Sequence, residues 1–96
     1  MKVSGFLWLD VFVEKLDRKH GVATDEVEAV FSRKPFVTRI ERGRVQGEDV
    51  YRALGQTVEG RYLAVFFVLK QGSRALVISV RDMERMERRE YERHRR

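Results

Sequence analysis

Ninety-six residues, 43% of them hydrophobic and 36% charged, make one domain whose core must be drawn from a few apolar segments. The absence of cysteine excludes a disulfide framework and a thiolate zinc site, and two histidines are too few for a metal cluster, so neither metal nor cofactor is expected. A formal net charge of +5 favours polyanionic partners, nucleic acid or an acidic protein, without choosing between them.

In chain order, Met1 to Phe6 lack the apolar stretch and small-residue cleavage site of an export signal, so a cytoplasmic protein is expected. Phe6-Leu7-Trp8 reads as a short strand. A helix from Asp10 to His20 follows, with Leu9, Phe12, Val13 and Leu16 on one apolar face, Asp10 as N-cap and Gly21 at the C′ position. Arg18, Lys19 and His20 fill the last turn, where cations complement the helix dipole. His20 shares the side of the apolar residues, so a packed imidazole competes with a free acid–base group; Lys19 faces the surface.

Thr24 is the expected cap of a second helix that packs through Val27, Val30 and Phe31 and ends before Pro35. From Arg33 to Arg44, five cations (Arg33, Lys34, Arg39, Arg42, Arg44) face Glu41 alone, while Phe36, Thr38 and Ile40 alternate as in a strand. This is a basic edge strand, whose cations either block edge-to-edge association or track a nucleic acid. Gly43 to Gly47 forms a loop and Asp49 to Thr57 another strand, turned at Glu59-Gly60.

Tyr62 to Leu69, far short of the roughly 20 apolar residues of a membrane-spanning helix, is the expected central strand, buried on both sides. Lys70 to Ser73 is a hairpin loop. Arg74 to Arg81 is a buried strand that runs without glycine or proline into an arginine-rich helix, Met83 to Arg93. In that helix Met83, Met86, Glu87, Glu90 and Tyr91 form a thin packing side, with Arg85, Arg88, Arg89 and Glu92 around the other; His94 to Arg96 are expected to fray. The pattern predicts a single α+β domain over residues 1–96, a small antiparallel meander flanked by N-terminal helices and a C-terminal helix. The junction from Arg81 to Arg88 sets a helix N-terminus beside several guanidinium groups, which suits a phosphate, with Asp82 as a candidate cap.

Several of these segments together resemble a known family. Phe6-Leu7-Trp8, Lys19-His20-Gly21-Val22, Glu28-Ala29-Val30-Phe31, Leu54-Gly55-Gln56-Thr57 with Gly60-Arg61, Ile78-Ser79-Val80-Arg81, and Glu87-Arg88-Arg89 with Tyr91 have the order and spacing of the BrnT-like toxins. Those are small proteins of prokaryotic type II toxin–antitoxin pairs, related in fold to the RelE ribonucleases. The resemblance implies an endoribonuclease, a cognate antitoxin encoded beside it, and a toxin dimer bridged by antitoxin. Where the family commonly has an aspartate, a lysine and an asparagine, this chain has Leu9, Phe12 and Leu16, which are expected to join the core. After Arg81, Asp82 and Met83 replace a basic residue and an alanine.

Metal-free RNA cleavage needs an activated 2′-hydroxyl, a stabilised phosphorane and a proton for the leaving 5′-oxygen. Arg81 and Arg85, with Arg88 one turn on, can cluster around one phosphate. Arg81 is the first candidate, and its competing reading is a salt bridge to Asp82, Glu84 or a neighbouring carboxylate. His20 and Lys19 complete the catalytic candidates, Glu87 and Tyr91 are orienting or structural, and Arg88, Arg39, Arg42 and Arg44 are the RNA-contact candidates. The alternatives are a non-catalytic protein- or RNA-binding module of the same fold, and a structural domain dimerising through a sheet edge or the C-terminal helix.

Overall fold

The computed structural model describes residues 1–95. Its elements follow the apolar periodicities: β1 (Gly5–Leu7), α1 (Asp10–His20), α2 (Thr24–Ser32), β2 (Phe36–Glu41), β3 (Val50–Gln56), β4 (Tyr62–Lys70), β5 (Arg74–Asp82) and α3 (Arg85–Arg95). The strands form one sheet in the order β1-β5-β4-β3-β2, which places β4 at the centre and β2 at an edge. From β2 to β5 each strand is antiparallel to the next, as expected of a meander. β1 departs from that pattern: it lies parallel to β5, with Phe6 opposite Ala75, so the α+β sheet is mixed. The Ser4 hydroxyl helps to hold it there by donating to the Gly72 carbonyl at 2.6 Å.

Strand alternation sends side chains into two cores of unequal size. On one face Ala53, Leu63, Val65, Phe67, Ala75, Val77 and Val80 are buried together with Leu16 of α1, Val22, and Val27 and Val30 of α2. Phe31 meets Phe6 and Phe67 edge-on, with ring centroids 5.2 Å apart in each pair. The other face has only a small core, Leu54, Ala64 and Tyr91, with Phe36, Tyr62, Phe66 and Met83 packed around it. β4 is therefore not buried on both sides along its whole length; Phe66 and Val68 are half-buried because α3 covers one end of the sheet.

The helix starts differ from the sequence expectation by one residue. Leu9, not Asp10, is the N-cap of α1, and Asp10 stands in the first turn, where its charge still complements the dipole. Ala23, not Thr24, precedes α2, and Glu26 satisfies that end by accepting from the Ala23 N–H at 3.0 Å. Gly21 does end α1 in a left-handed conformation, φ 60° and ψ 41°, with its N–H on the Asp17 carbonyl. Of the three apolar replacements, Leu16 is buried and Phe12 half-buried, but Leu9 is 47% exposed and stays out of the core.

β3 passes so close beneath α2 that a Cβ at Gly55 would lie 2.6 Å from Val30 Cγ1. Gly55→Ala is expected to cost about 1–3 kcal/mol by overpacking, read as a lower urea midpoint at unchanged slope.

Candidate functional site

The geometry of the site begins with an irregularity in β5. Phe66 pairs with Ser79 but Phe67 with Val77, so Ile78 is an extra residue that resets the alternation. Val77 and Val80 then both enter the large core, and Arg81 emerges opposite Ala64 on the face that carries α3.

Arg81 is held there. Both of its terminal nitrogens donate to the Glu87 carboxylate, Nη2 to Oε2 at 2.9 Å, and its guanidinium lies 5.1 Å from the Phe66 ring centre. Glu87, 7% exposed, also accepts from the Glu84 N–H at 2.9 Å and so closes the first turn of α3. Arg52 reaches the same carboxylate at 3.4 Å and binds Glu90 at 2.7 Å. Burial pushes the Glu87 pKa up, but the Arg81 hydrogen bond, the Glu84 N–H and the Arg81 and Arg52 charges outweigh it and leave it below the ordinary carboxylate value. The hydrogen bond to Glu87 likewise raises Arg81, which stays a cation throughout. Of the two sequence readings for Arg81, the structure shows the salt bridge, made chiefly to Glu87 with Glu84 at 3.7 Å.

Outside this floor, α3 presents an open groove of about 770 Å³ lined by Met83, Arg85, Arg88, Arg89, Glu92 and Arg93. Arg88 stacks 3.9 Å above the Tyr62 ring, whose hydroxyl donates to Glu92 at 2.8 Å. Among the described residues none of the four arginines makes an ion pair. Met86, expected on the packing side, is 79% exposed, because α3 crosses the sheet on Glu87 and Tyr91 and Met86 overhangs. Tyr91 is buried and edge-on to Tyr62, 6.0 Å between ring centres.

The end of α1, which carries Lys19 and His20, meets the same end of β5 from the large-core side of the sheet, opposite α3. Arg61 donates to the His20 carbonyl at 2.6 Å, to the Gly21 carbonyl at 3.1 Å and to Asp82 at 2.9 Å, fastening the end of α1 to the end of the strand. The Arg61 hydrogen bond holds the Asp82 carboxyl below its usual range, assisted by charge from Arg61 and His20. Asp82 is thus occupied by Arg61, and the capping expected of it falls to Glu87. His20 is exposed rather than packed, since the apolar stripe of α1 ends a turn earlier at Leu16.

Arg39, Arg42 and Arg44 do not join this assembly. β2 lies three strands from β5, roughly 14 Å away, and the register sets Phe36, not Arg39, level with Arg81. Arg39 pairs with Asp49 at 3.4 Å, and Arg42 and Arg44 are exposed at that opposite corner. A second basic hollow, about 310 Å³, lies on the other flank of α3, with Arg33, Lys34, His94 and Arg95 among its lining residues. His94 stacks on Phe36 at 3.7 Å and Arg95 donates to Gln56 at 3.0 Å, so the expected fraying does not reach them; Arg96 lies outside the described residues. Arg52 and Arg61 were not singled out from the sequence. For Arg52 the available signal was a lone cation inside an alternating strand, which needs a carboxylate once half-buried; Arg61 lies just before β4 and carried no such signal.

Fold and site together define a small basic α+β domain with an arginine-lined groove at a strand-to-helix junction. The model of the family described as ribonuclease toxin, BrnT, of type II toxin–antitoxin systems matches residues 13–87, and the chain belongs to that family. An antitoxin partner is accordingly expected. The search of curated proteins found no match. Among the described residues no helix is long and apolar enough to cross a membrane.

Proposed function

We propose that this toxin is a metal-independent, RelE-like endoribonuclease of the cytoplasm that cleaves mRNA and is neutralised by a cognate antitoxin, within a complex that pairs two toxins. The observation that carries the reading is the groove of four arginines, without ion pairs among the described residues, beside the anchored Arg81. In this reading Arg85 and Arg88 grip the scissile phosphate and offset the charge that builds on the phosphorane, and Arg81, fixed by Glu87, sets the floor. The 2′-oxygen attacks phosphorus, the bond to the 5′-oxygen breaks, and a cyclic phosphate and a free 5′-hydroxyl result. His20 and Lys19, exposed at the end of α1, are the proton carriers of the proposal. The outlying Arg39, Arg42 and Arg44 contribute contacts to a longer RNA.

The test is to incubate the purified chain with mRNA, with and without a chelator, and to analyse the ends. Cleavage that leaves 5′-hydroxyl termini and is indifferent to the chelator is the expected result; intact RNA overturns the reading. One observation favours the non-catalytic alternative, a protein- or RNA-binding module: Arg81 already spends its terminal nitrogens on Glu87. In that case RNA is retained on the groove and remains uncut.

A further inference from the structure

The sheet face that carries α3 is covered at one end only. At the other end the register sets four aliphatic side chains in an unbroken row across the strands: Leu7 on β1, Leu76 on β5, Val68 on β4 and Val50 on β3. All four are partly exposed, and none belongs to either hydrophobic core. The bulged Ile40 of β2 is 47% exposed. The next rung on the same face is Lys70 directly opposite Arg74, and neither makes an ion pair among the described residues. Like charges facing each other across an antiparallel pair are destabilising, so this rung lacks an anionic partner.

An apolar patch rimmed by charge marks a protein-binding surface, and the cations indicate which protein. A second copy brings a net charge of +5 and the same Lys70–Arg74 rung. An acidic amphipathic segment supplies what both the row and the rung lack. We propose that this open end of the sheet receives such a segment of the antitoxin, its apolar side on Leu7, Leu76, Val68 and Val50 and its carboxylates on Lys70 and Arg74. The proposal rests on the toxin–antitoxin reading above and adds the place and chemistry of the contact.

The experiment measures, by calorimetry, the affinity of the chain for the protein encoded by the neighbouring gene. Three variants are compared: Val68→Glu with Leu76→Glu, Lys70→Glu with Arg74→Glu, and Leu76→Ser alone. The first pair is expected to weaken binding at least about a hundredfold. The charge reversal is expected to weaken it about tenfold and to flatten its salt dependence. Neither pair touches the arginine groove, so RNA cleavage by the free variants should equal that of the natural chain. Leu76→Ser, the mildest change, guards against loss of folding and should weaken binding about tenfold at unchanged circular dichroism. Affinities within about threefold of the natural value for folded variants overturn the surface and leave the toxin–antitoxin reading standing. No binding by the natural chain overturns the partner and the surface together. A chain that sediments alone as a dimer, and as a monomer after Leu76→Ser, assigns the row to a second copy and overturns the acidic partner.

Discussion

Alanine at Arg85 and Arg88 together is expected to lower RNA cleavage by about a thousandfold or more, since each removes a donor aimed at developing charge and a single such donor is commonly worth about 10²–10³ in rate. Both side chains are exposed and free of ion pairs among the described residues, so the domain itself should barely notice. The structural loss is the stacking of Arg88 on Tyr62, about 0.5–1 kcal/mol. Single-turnover kinetics at saturating RNA, beside a thermal melt of the same sample, separates the two effects. Arg39→Ala with Arg42→Ala is the matched control from the opposite corner. It should reduce affinity and its salt dependence while leaving the rate of the bound complex alone. A reversed outcome, with the corner controlling the rate, would sink the assignment of the groove.

The second large effect falls on stability. Glu87→Ala leaves Arg81 and Arg52 without their shared carboxylate and opens the first turn of α3, which together should cost about 2–4 kcal/mol, nearer the low end because Arg81 is partly solvated. For a domain of this size the melting temperature would fall by roughly 8–30 °C. Glu87→Gln keeps the shape but aims an amide at two guanidinium groups, so it should recover little. The pH dependence follows from the depressed Glu87 pKa. Its contribution is complete above the ordinary value of 4.5 and is lost as the pH falls through the lower folded value. The stability gap between the natural chain and Glu87→Gln should be constant from pH 6 to 8, above both values, and should close in acid. A gap that widens in acid would show that Glu87 is not the anion the two arginines need.

Most of the secondary structure was legible in the sequence because the helices and long strands obey clean periods and Gly21 marks the end of α1. The direction of β1 was not, since three residues carry no period and their partner is about seventy positions away. Met86 was misplaced by helical spacing alone, which gives a face but not how far the sheet extends beneath it. The fate of Arg81 was undecidable from its near neighbours because its main partner stands six residues on, across a turn whose geometry only the fold supplies. The run of cations from Arg33 to Arg44 read as one feature, yet the strand between its ends carries Arg33 and Lys34 to the α3 flank and Arg42 and Arg44 to the far corner.

The placement of β5 between β1 and β4 also bears on how the protein comes into being. The inner strand β5 and the helix that finishes the groove come after the other strands in the chain, so β1, which precedes them by about seventy positions, must wait for its partner. A nascent chain therefore harbours neither a closed sheet nor a complete groove until β5 and α3 have both been made. By the same logic, a chain cut before β5 loses the strand that joins β1 to β4, and with it the sheet itself rather than the groove alone.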